Sequence, residues 1–262
     1  MATVYIAPTG QGSADGTSEA NAYGYADLNS AETDAGNGGT ILFLDGSYTI
    51  GNVTWDPNVT NFTYKSLNKH GATLTSASSV TLRFGLYGDL SRTVNFEDFN
   101  ITGAISFMAQ SPTVIRGMKQ VDTISHDPTY AGFYRFNGNW NISDSEITKD
   151  FNGDVNIGFN SSSVITGCTF GIKCSSVGSA GITNSSGPIM KNTIFMSDTS
   201  SAIADSVIDM ANCTNCCIFQ MHTNDNSGGT NNVFADPLFV DQANADYRLR
   251  PDSPCINAGT AS

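Results

Sequence analysis

The sequence predicts an all-β chain that is wound as a parallel solenoid, in which short strands stack coil upon coil. Charged residues make up only 14% of the 262 residues, whereas glycine occurs 26 times, which is typical of a turn-rich β protein. Related six-residue segments begin at residues 96, 115, 142, 165, 190 and 213. A fixed position in these segments always carries a residue suited to a bend, so the coils and their corners are both visible in the sequence.

The six segments share an apolar first position, which predicts a buried column. They are Phe96–Ile101, Ile115–Gln120, Ile142–Ile147, Ile165–Phe170, Met190–Phe195 and Cys213–Ile218. A solenoid coil can bury its apolar face only against the next coil, so we expect these first positions to stack on one another.

The third position of each segment predicts the bend between two strands. It is occupied by Asp98, Gly117, Asp144, Gly167, Asn192 and Asn215. Glycine, asparagine and aspartate are the residues that best tolerate the left-handed backbone conformation that a sharp bend requires.

A second apolar ladder precedes each segment by eight to ten residues. It consists of Ile105, Phe107, Phe133, Val155, Ile157, Ala180, Ile182 and Ile203. Earlier strands are expected at Ile41–Leu44, Phe62–Leu67 and Val80–Phe84. Each coil therefore has at least two apolar strands.

The two ends carry sequence features of their own. Residues 26–35 predict one amphipathic helix with Leu28 and Ala31 on its buried side, which would plug the open end of the solenoid. Near the other end, Phe234–Asp241 is followed by Asp246–Pro254 and Ile256–Gly259.

These closing segments resemble the last coil of right-handed parallel β-helix proteins of the pectate-lyase-like superfamily, and the first 50 residues resemble the opening of the same proteins. The resemblance implies a right-handed parallel β-helix with an N-terminal capping helix, forming one domain over residues 1–262. Residues 1–50 would form the cap and first coil, 51–220 the coils, and 221–262 the C-terminal coil and cap. The superfamily includes polysaccharide lyases, glycosidases, phage tailspikes and inert surface proteins, so the fold does not decide the activity.

Charge excludes several partners. The formal net charge of −12 disfavours a nucleic acid, an anionic membrane or an acidic polysaccharide as partner. The first residues do not read as a secretion signal, and no apolar run approaches the roughly 18 residues of a membrane span, so neither export nor anchoring is expected.

The six cysteines are expected to be reduced core residues, because the sequence shows no secretion signal that would favour disulfides. Cys213 and Cys216 form a C-x-x-C pair beside Cys217, but no second Cys or His pair complements it. The sequence therefore predicts no metal site and no cofactor.

No catalytic residue is predicted either. Asp98 and Asp144 share the bend column two coils apart, close to the carboxylate separation of an inverting glycosidase, but glycine and asparagine occupy the same column in other coils. The motifs of β-helix polygalacturonases (Asp-Asp, Asn-Thr-Asp, Gly-His-Gly and Arg-Ile-Lys) are absent. The pairs Glu97 with Arg116 and Lys119 with Glu146 are expected to be exposed cross-strand ion pairs.

An aromatic group offers a candidate carbohydrate-binding site. Tyr130, Tyr134 and Trp140 surround Arg135, and aromatic rings beside polar groups are suited to stack on sugars. The three histidines, His70, His126 and His222, are expected to be surface residues in separate loops.

Three functions fit these observations. The first is a non-enzymatic structural protein of a phage virion, either a tail spike or fibre or a capsid decoration protein, located on the virion surface. It would form a homotrimer, contact other virion proteins and recognise a host surface polysaccharide. The alternatives are a polysaccharide lyase or glycoside hydrolase of the β-helix superfamily, recognised by a groove where Arg116 or Lys119 meets Asp144 or Glu146, and a carbohydrate-binding adhesin, recognised by exposed Tyr134 and Trp140.

Overall fold

The computed structural model describes most of the chain and confirms an all-β parallel fold. The described residues are 2–51, 53–55, 61–84, 93–109, 113–122, 134–136, 140–151, 155–159, 163–174, 180–184, 188–197, 210–220, 229–244 and 246–259. They contain parallel sheets and one α-helix, α1 (Leu28–Ala35). None of the helices in these residues has the length and apolar character needed to cross a membrane.

The chain divides into two compact units. The first comprises residues 1–120 and 137–141, and the second comprises residues 121–136 and 142–262. Whether they form the single domain expected from the sequence stays a prediction.

The first unit contains two parallel sheets. Its strands are β1 (Thr3–Ala7), β2 (Tyr23–Gly24), β3 (Thr40–Phe43), β4 (Gly46–Thr49), β5 (Val53–Trp55), β6 (Phe62–Ser66), β7 (Ala72–Phe84), β8 (Val94–Glu97), β9 (Asn100–Ala109), β10 (Thr113–Arg116) and β11 (Lys119–Asp122), whose last two residues belong to the second unit. One sheet has the order β2-β1-β3-β6-β8-β10, and the other has the order β4-β7-β9-β11 with β5 beside β7. The three early strands expected at residues 41–44, 62–67 and 80–84 correspond to β3, β6 and the second half of β7.

The second unit contains three parallel sheets and a hairpin. Its strands are β12 (Tyr134–Phe136), β13 (Trp140–Ser143, which begins in the first unit), β14 (Glu146–Phe151), β15 (Val155–Phe159), β16 (Val164–Thr166), β17 (Thr169–Cys174), β18 (Ala180–Asn184), β19 (Ile189–Lys191), β20 (Ile194–Ser197), β21 (Cys213–Thr214), β22 (Cys217–Phe219), β23 (Phe239–Asp241) and β24 (Asp246–Leu249). The parallel orders are β16-β19-β21, β14-β17-β20-β22 and β12-β15-β18.

All six predicted bend residues adopt the left-handed conformation. Their φ angles are 65° at Asp98, 63° at Gly117, 50° at Asp144, 64° at Gly167, 48° at Asn192 and 53° at Asn215. The backbone N–H of a bend residue donates to a carbonyl of the next coil, as from Asp98 to Arg116 at 2.9 Å and from Asn192 to Thr214 at 3.1 Å. The bends therefore join neighbouring coils as well as turning the chain.

The predicted apolar columns form the core of each unit. In the first unit Tyr64, Phe96 and Ile115 pair in register and are fully buried. Phe96 also stacks on Phe99 with ring centroids 4.3 Å apart. In the second unit Ile165, Met190 and Cys213 form the equivalent buried column.

The second apolar ladder is confirmed where the structure describes it. Val155 pairs with Ala180 and Ile157 with Ile182 in the second unit, and Val80 pairs with Ile105 in the first. Phe133 and Ile203 lie outside the described residues.

The N-terminal helix buries Leu28 and Ala31 as the sequence predicts, and it starts after a short 3-10 turn at Tyr25–Asp27. It also buries Glu32, whose carboxylate accepts a 2.6 Å hydrogen bond from the Tyr64 hydroxyl. This bond attaches α1 to β6, and it gives the buried Glu32 carboxylate a hydrogen-bond donor.

The C-terminal segment contains a last parallel coil followed by a hairpin. Thr230 and Val233 form parallel bridges with Thr214 and Cys217, and β23 and β24 then pair antiparallel, so residues 239–249 form a hairpin. The short 3-10 turn Gln242–Asn244 reverses the chain, with Asp241 accepting hydrogen bonds from the backbone and side-chain amides of Asn244.

Removing a ring from the aromatic core will test this packing. We expect Phe96→Ala to lower the free energy of unfolding by about 3–5 kcal/mol, because it empties a fully buried site. Arg116→Ala, on an exposed neighbouring position of the same sheet, should change it by less than about 0.5 kcal/mol. Urea unfolding followed by circular dichroism measures both, and equal effects would contradict the assigned core.

Candidate functional site

A charged cluster lies beside the bend of Asp98 in the first unit. Lys65, Glu97 and Arg116 occupy equivalent positions on β6, β8 and β10, so they stack on the outward face of one sheet. The Lys65 Nζ atom lies 3.1 Å from Glu97 Oε2 and 3.4 Å from Asp98 Oδ2. One ammonium therefore holds two carboxylates, and we call Lys65, Glu97 and Asp98 the charged cluster.

The charged cluster keeps Lys65 protonated. The hydrogen bond to Glu97 raises the pKa of the Lys65 amine, and the neighbouring charge of Asp98 adds to the effect. A lysine that acts as a general base must lose its proton near neutral pH, which usually requires burial without an acidic partner. The cluster thus favours an electrostatic or binding role for Lys65 over proton abstraction.

His70 lies in a loop, as expected, but it is half-buried against the same bend. Its backbone N–H donates to the Asp98 carbonyl at 2.6 Å, and its Nε2 atom lies 2.7 Å from the Gly117 carbonyl oxygen. A carbonyl only accepts, so this bond requires a hydrogen on Nε2. His126 and His222 lie outside the described residues.

Gly117 allows the Asp98 side chain to fold over the next bend. A Cβ atom at Gly117 would lie 2.3 Å from Asp98 Oδ1, which is closer than real Cβ atoms approach. Two features therefore favour glycine at this position: its positive φ angle, and the Asp98 carboxylate that leaves no room for a Cβ atom.

Rows of hydroxyl and amide groups continue from the bend onto the second sheet. Ser47, Thr73 and Asn100 are in register on β4, β7 and β9, and so are Thr49, Thr75 and Thr102. We call these six residues the hydroxyl rows. Their side chains are exposed or half-buried, whereas Tyr48, Leu74 and Ile101 between them are buried.

The hydroxyl rows are partly bonded to one another. The Asn100 amide donates to the Thr73 hydroxyl at 3.1 Å. Lys119 pairs in register with Asn100 on β11, so a cation adjoins one row. The regular coil spacing of about 4.8 Å repeats this polar surface along the unit.

Trp140 belongs to the core, which corrects its assignment as a sugar contact. It is 1% exposed and packs edge-to-face with Phe84, with ring centroids 6.3 Å apart. A ring with both faces enclosed cannot stack on a sugar. Tyr134 begins β12 and pairs with Ile157, and its side chain lies outside the described residues, as does all of Tyr130.

Glu97 and Arg116 are in register as expected, but the expected ion pair between them is wrong. Glu97 pairs instead with Lys65 on the preceding coil, which sequence reasoning missed. Aligning Tyr64 with Phe96 in the repeat would have placed Lys65 beside Glu97.

The expected core position is confirmed for four of the described cysteines and is wrong for Cys255. Cys168, Cys213, Cys216 and Cys217 are buried and Cys255 is half-buried. Burial raises the pKa of Cys168 to about 12, which makes its thiol unreactive. Within the described ranges, no three His, Cys, Asp or Glu side chains are grouped so that they could hold a metal ion.

Comparison with known proteins identifies the fold. No family model and no curated protein sequence matches this chain. Among solved structures, the chain is similar to pectin methylesterase PemA from Erwinia chrysanthemi, with 10% identity, a TM-score of 0.50, and coverage of 87% of this chain and 80% of that chain. It is also similar to pectate lyase Pel9A, with 12% identity, a TM-score of 0.43, and coverage of 100% and 92%. The parallel sheets and the likeness to pectin methylesterase PemA confirm the predicted right-handed parallel β-helix.

A double-mutant cycle on Lys65→Met and Glu97→Gln tests the charged cluster. We expect a coupling energy of about 0.2–1 kcal/mol at low salt, because the Lys65 side chain is 38% exposed and water screens the pair. The raised pKa of Lys65 means that, from neutral pH upwards, this coupling is fully present up to pH 10.5, the ordinary lysine value, and is lost as pH rises through the higher folded-state value.

Urea unfolding of the four proteins measures this coupling. In about 1 M NaCl it should fall towards zero. A coupling that resists salt would contradict an electrostatic origin.

Proposed function

We propose that this protein is a non-enzymatic structural β-helix that binds a neutral polysaccharide along the hydroxyl rows of its first unit. The observation that carries the proposal is the in-register array of Ser47, Thr49, Thr73, Thr75, Asn100 and Thr102 on one outward sheet face. Hydroxyl and amide groups donate and accept hydrogen bonds, as sugar hydroxyls do.

A repeating surface is suited to a repeating ligand. Each hydroxyl contact contributes little, because it replaces a bond to water. Several equivalent contacts on one chain act together, since the first contact raises the effective concentration for the next. An extended glycan laid across β4, β7 and β9 would use this arrangement.

Charge supports a neutral ligand. The net charge of −12 repels uronic-acid polymers, and the single ammonium of the charged cluster is already paired with Glu97 and Asp98. A neutral hexose polymer avoids this repulsion.

The proposed setting is the surface of a phage particle, as a tail spike, fibre or capsid decoration protein in contact with other virion proteins. The support is physical: backbone hydrogen bonds join neighbouring coils, so each unit resists local opening. Such proteins act outside the cell on host surface polysaccharides. We expect a homotrimer, which size-exclusion chromatography with light scattering measures directly.

A polysaccharide lyase, glycosidase or related enzyme is the second candidate. Its support is the fold shared with pectin methylesterase PemA, together with the charged cluster that places an ammonium between two carboxylates. Incubation with a polysaccharide panel, followed by assays for reducing ends, unsaturated products and released methanol, distinguishes the two. Any product that Glu97→Gln abolishes would replace the binding proposal.

Removal of two hydroxyls tests the binding surface. We expect Thr75→Val with Thr102→Val to weaken binding of a neutral polysaccharide about tenfold, because two hydrogen bonds of about 0.5–1.5 kcal/mol are lost. Isothermal titration calorimetry against a panel of neutral and uronate polymers provides the affinities.

A matched variant separates binding from folding. Thr40→Val changes a half-buried threonine on the other sheet of the same unit and should leave the affinity unchanged. Equal losses in both variants, or no neutral polymer bound by the unaltered protein, would overturn the assigned surface.

A further inference from the structure

We propose that Cys217 and Cys255 form a disulfide when the protein meets a low-molecular-weight disulfide, and that this bond locks the C-terminal turn onto the last parallel strands of the second unit. The proposal is independent of polysaccharide binding, which concerns the first unit.

Cys217 is fastened to the segment that precedes the C-terminal hairpin. It lies on β22, where it forms a parallel bridge with Val233. Its Sγ atom donates to the Ala235 carbonyl oxygen at 3.4 Å. The thiol is therefore directed towards residues 233–237.

Cys255 is fastened to the same segment from the other side. The Ser253 hydroxyl, two residues earlier, donates to the Pro237 carbonyl oxygen and accepts from the Cys255 backbone N–H at 3.1 Å. A further bond from the Ile256 N–H to the Ser253 carbonyl closes the turn. Ser253 is buried, so the turn that contains Cys255 is packed against the rest of the unit.

These two attachments bring the thiols together. The side chains of Cys217 and Cys255 are close enough for each to perturb the ionisation of the other. A disulfide requires its two sulfur atoms to approach to about 2 Å, and both cysteines are held against the same short segment, residues 235–237.

The two thiols have different reactivities. The neighbouring Cys217 side chain lowers the pKa of Cys255, while the Cys255 side chain and burial raise the pKa of Cys217. Cys255 is also half-buried whereas Cys217 is buried. Cys255 is therefore the attacking thiolate and Cys217 the resolving thiol.

The reaction is a double thiol–disulfide exchange. The Cys255 thiolate attacks a disulfide RSSR, forms Cys255–S–SR and releases RS⁻. Cys217 then loses its proton and attacks the Cys255 sulfur, which forms the Cys217–Cys255 bond and releases the second RS⁻. The protein loses two electrons and two protons, and RSSR becomes two RSH.

Cys213 and Cys216 do not combine a neighbouring thiol with access to solvent. Their thiols also neighbour each other, but both are fully enclosed, and Cys216 Sγ faces the carbonyls of Met190 and Thr214 at 3.5 Å. An external disulfide cannot reach them in the folded protein. Cys216 is thus a matched control, adjacent to Cys217 in sequence.

Oxidation of the native full-length chain tests the proposal. The protein is treated with oxidised glutathione, remaining thiols are alkylated, and tryptic peptides are mapped by mass spectrometry. Arg248 separates the two cysteines, so the bond joins two peptides. We expect a Cys217–Cys255 cross-link in native protein, and a Tm higher than in the reduced protein by roughly 5 °C or more, because the bond closes a loop between distant residues.

The variants assign the bond to its residues. Cys216→Ser should retain both the cross-link and the rise in Tm, whereas Cys217→Ser should lose both and accumulate a glutathione adduct on Cys255. Circular dichroism confirms that each variant is folded. A cross-link formed only after unfolding, a cross-link that survives Cys217→Ser, or free Cys255 after prolonged oxidation would each overturn the proposal.

Discussion

The left-handed bend residue is the constraint on which the rest of each unit depends. At Asp98, Gly117, Asp144, Gly167, Asn192 and Asn215 the chain turns at a single residue with positive φ. Because each bend consists of one residue, its length cannot differ between coils. The strands before and after it are therefore fixed in register relative to the bend. The position of the bend residue therefore determines the strand register, the buried apolar columns and the outward-facing rows. Variation in coil length is confined to segments away from these corners.

The bends also connect successive coils through backbone hydrogen bonds. The backbone N–H of Gly167 donates to the Lys191 carbonyl, and the N–H of Ile194, just after the next bend, donates to the Cys168 carbonyl. Each corner is therefore hydrogen-bonded on both of its strands, and a coil cannot leave without exposing polar backbone groups. Side chains add a second layer of packing, in which aromatic rings fill the first unit and smaller residues such as Cys168, Thr193 and Cys216 stack in the second.

The same geometry places polar side chains on the outside of the coils and most of the described cysteines inside. Alternation along β7 buries Leu74 and turns Thr73 and Thr75 outward, which produces the hydroxyl rows. The charged cluster sits at the corner because Glu97 ends β8 and Asp98 forms the bend, so Lys65 from the coil below reaches both. At the far end the parallel coils give way to a hairpin, and Cys255 is exposed enough to react while its partner is held in place.

The sequence alone determined the repeat, the bend residues, the apolar columns and the buried side of the capping helix, because each depends on short-range periodicity or on the conformational preferences of single residues. It also indicated that Cys168, Cys213, Cys216 and Cys217 are core residues, whereas Cys255, expected in the core as well, is half-buried.

Only the tertiary structure decided which distant side chains meet. Glu97 bonds to Lys65 from 32 positions earlier, Glu32 pairs with Tyr64, and Cys217 meets Cys255. Trp140 is a core ring because its strand turns it inward, although its aromatic neighbours in sequence indicated a surface role. Coil lengths vary, so residue spacing does not specify these long-range contacts, which depend on how the coils stack.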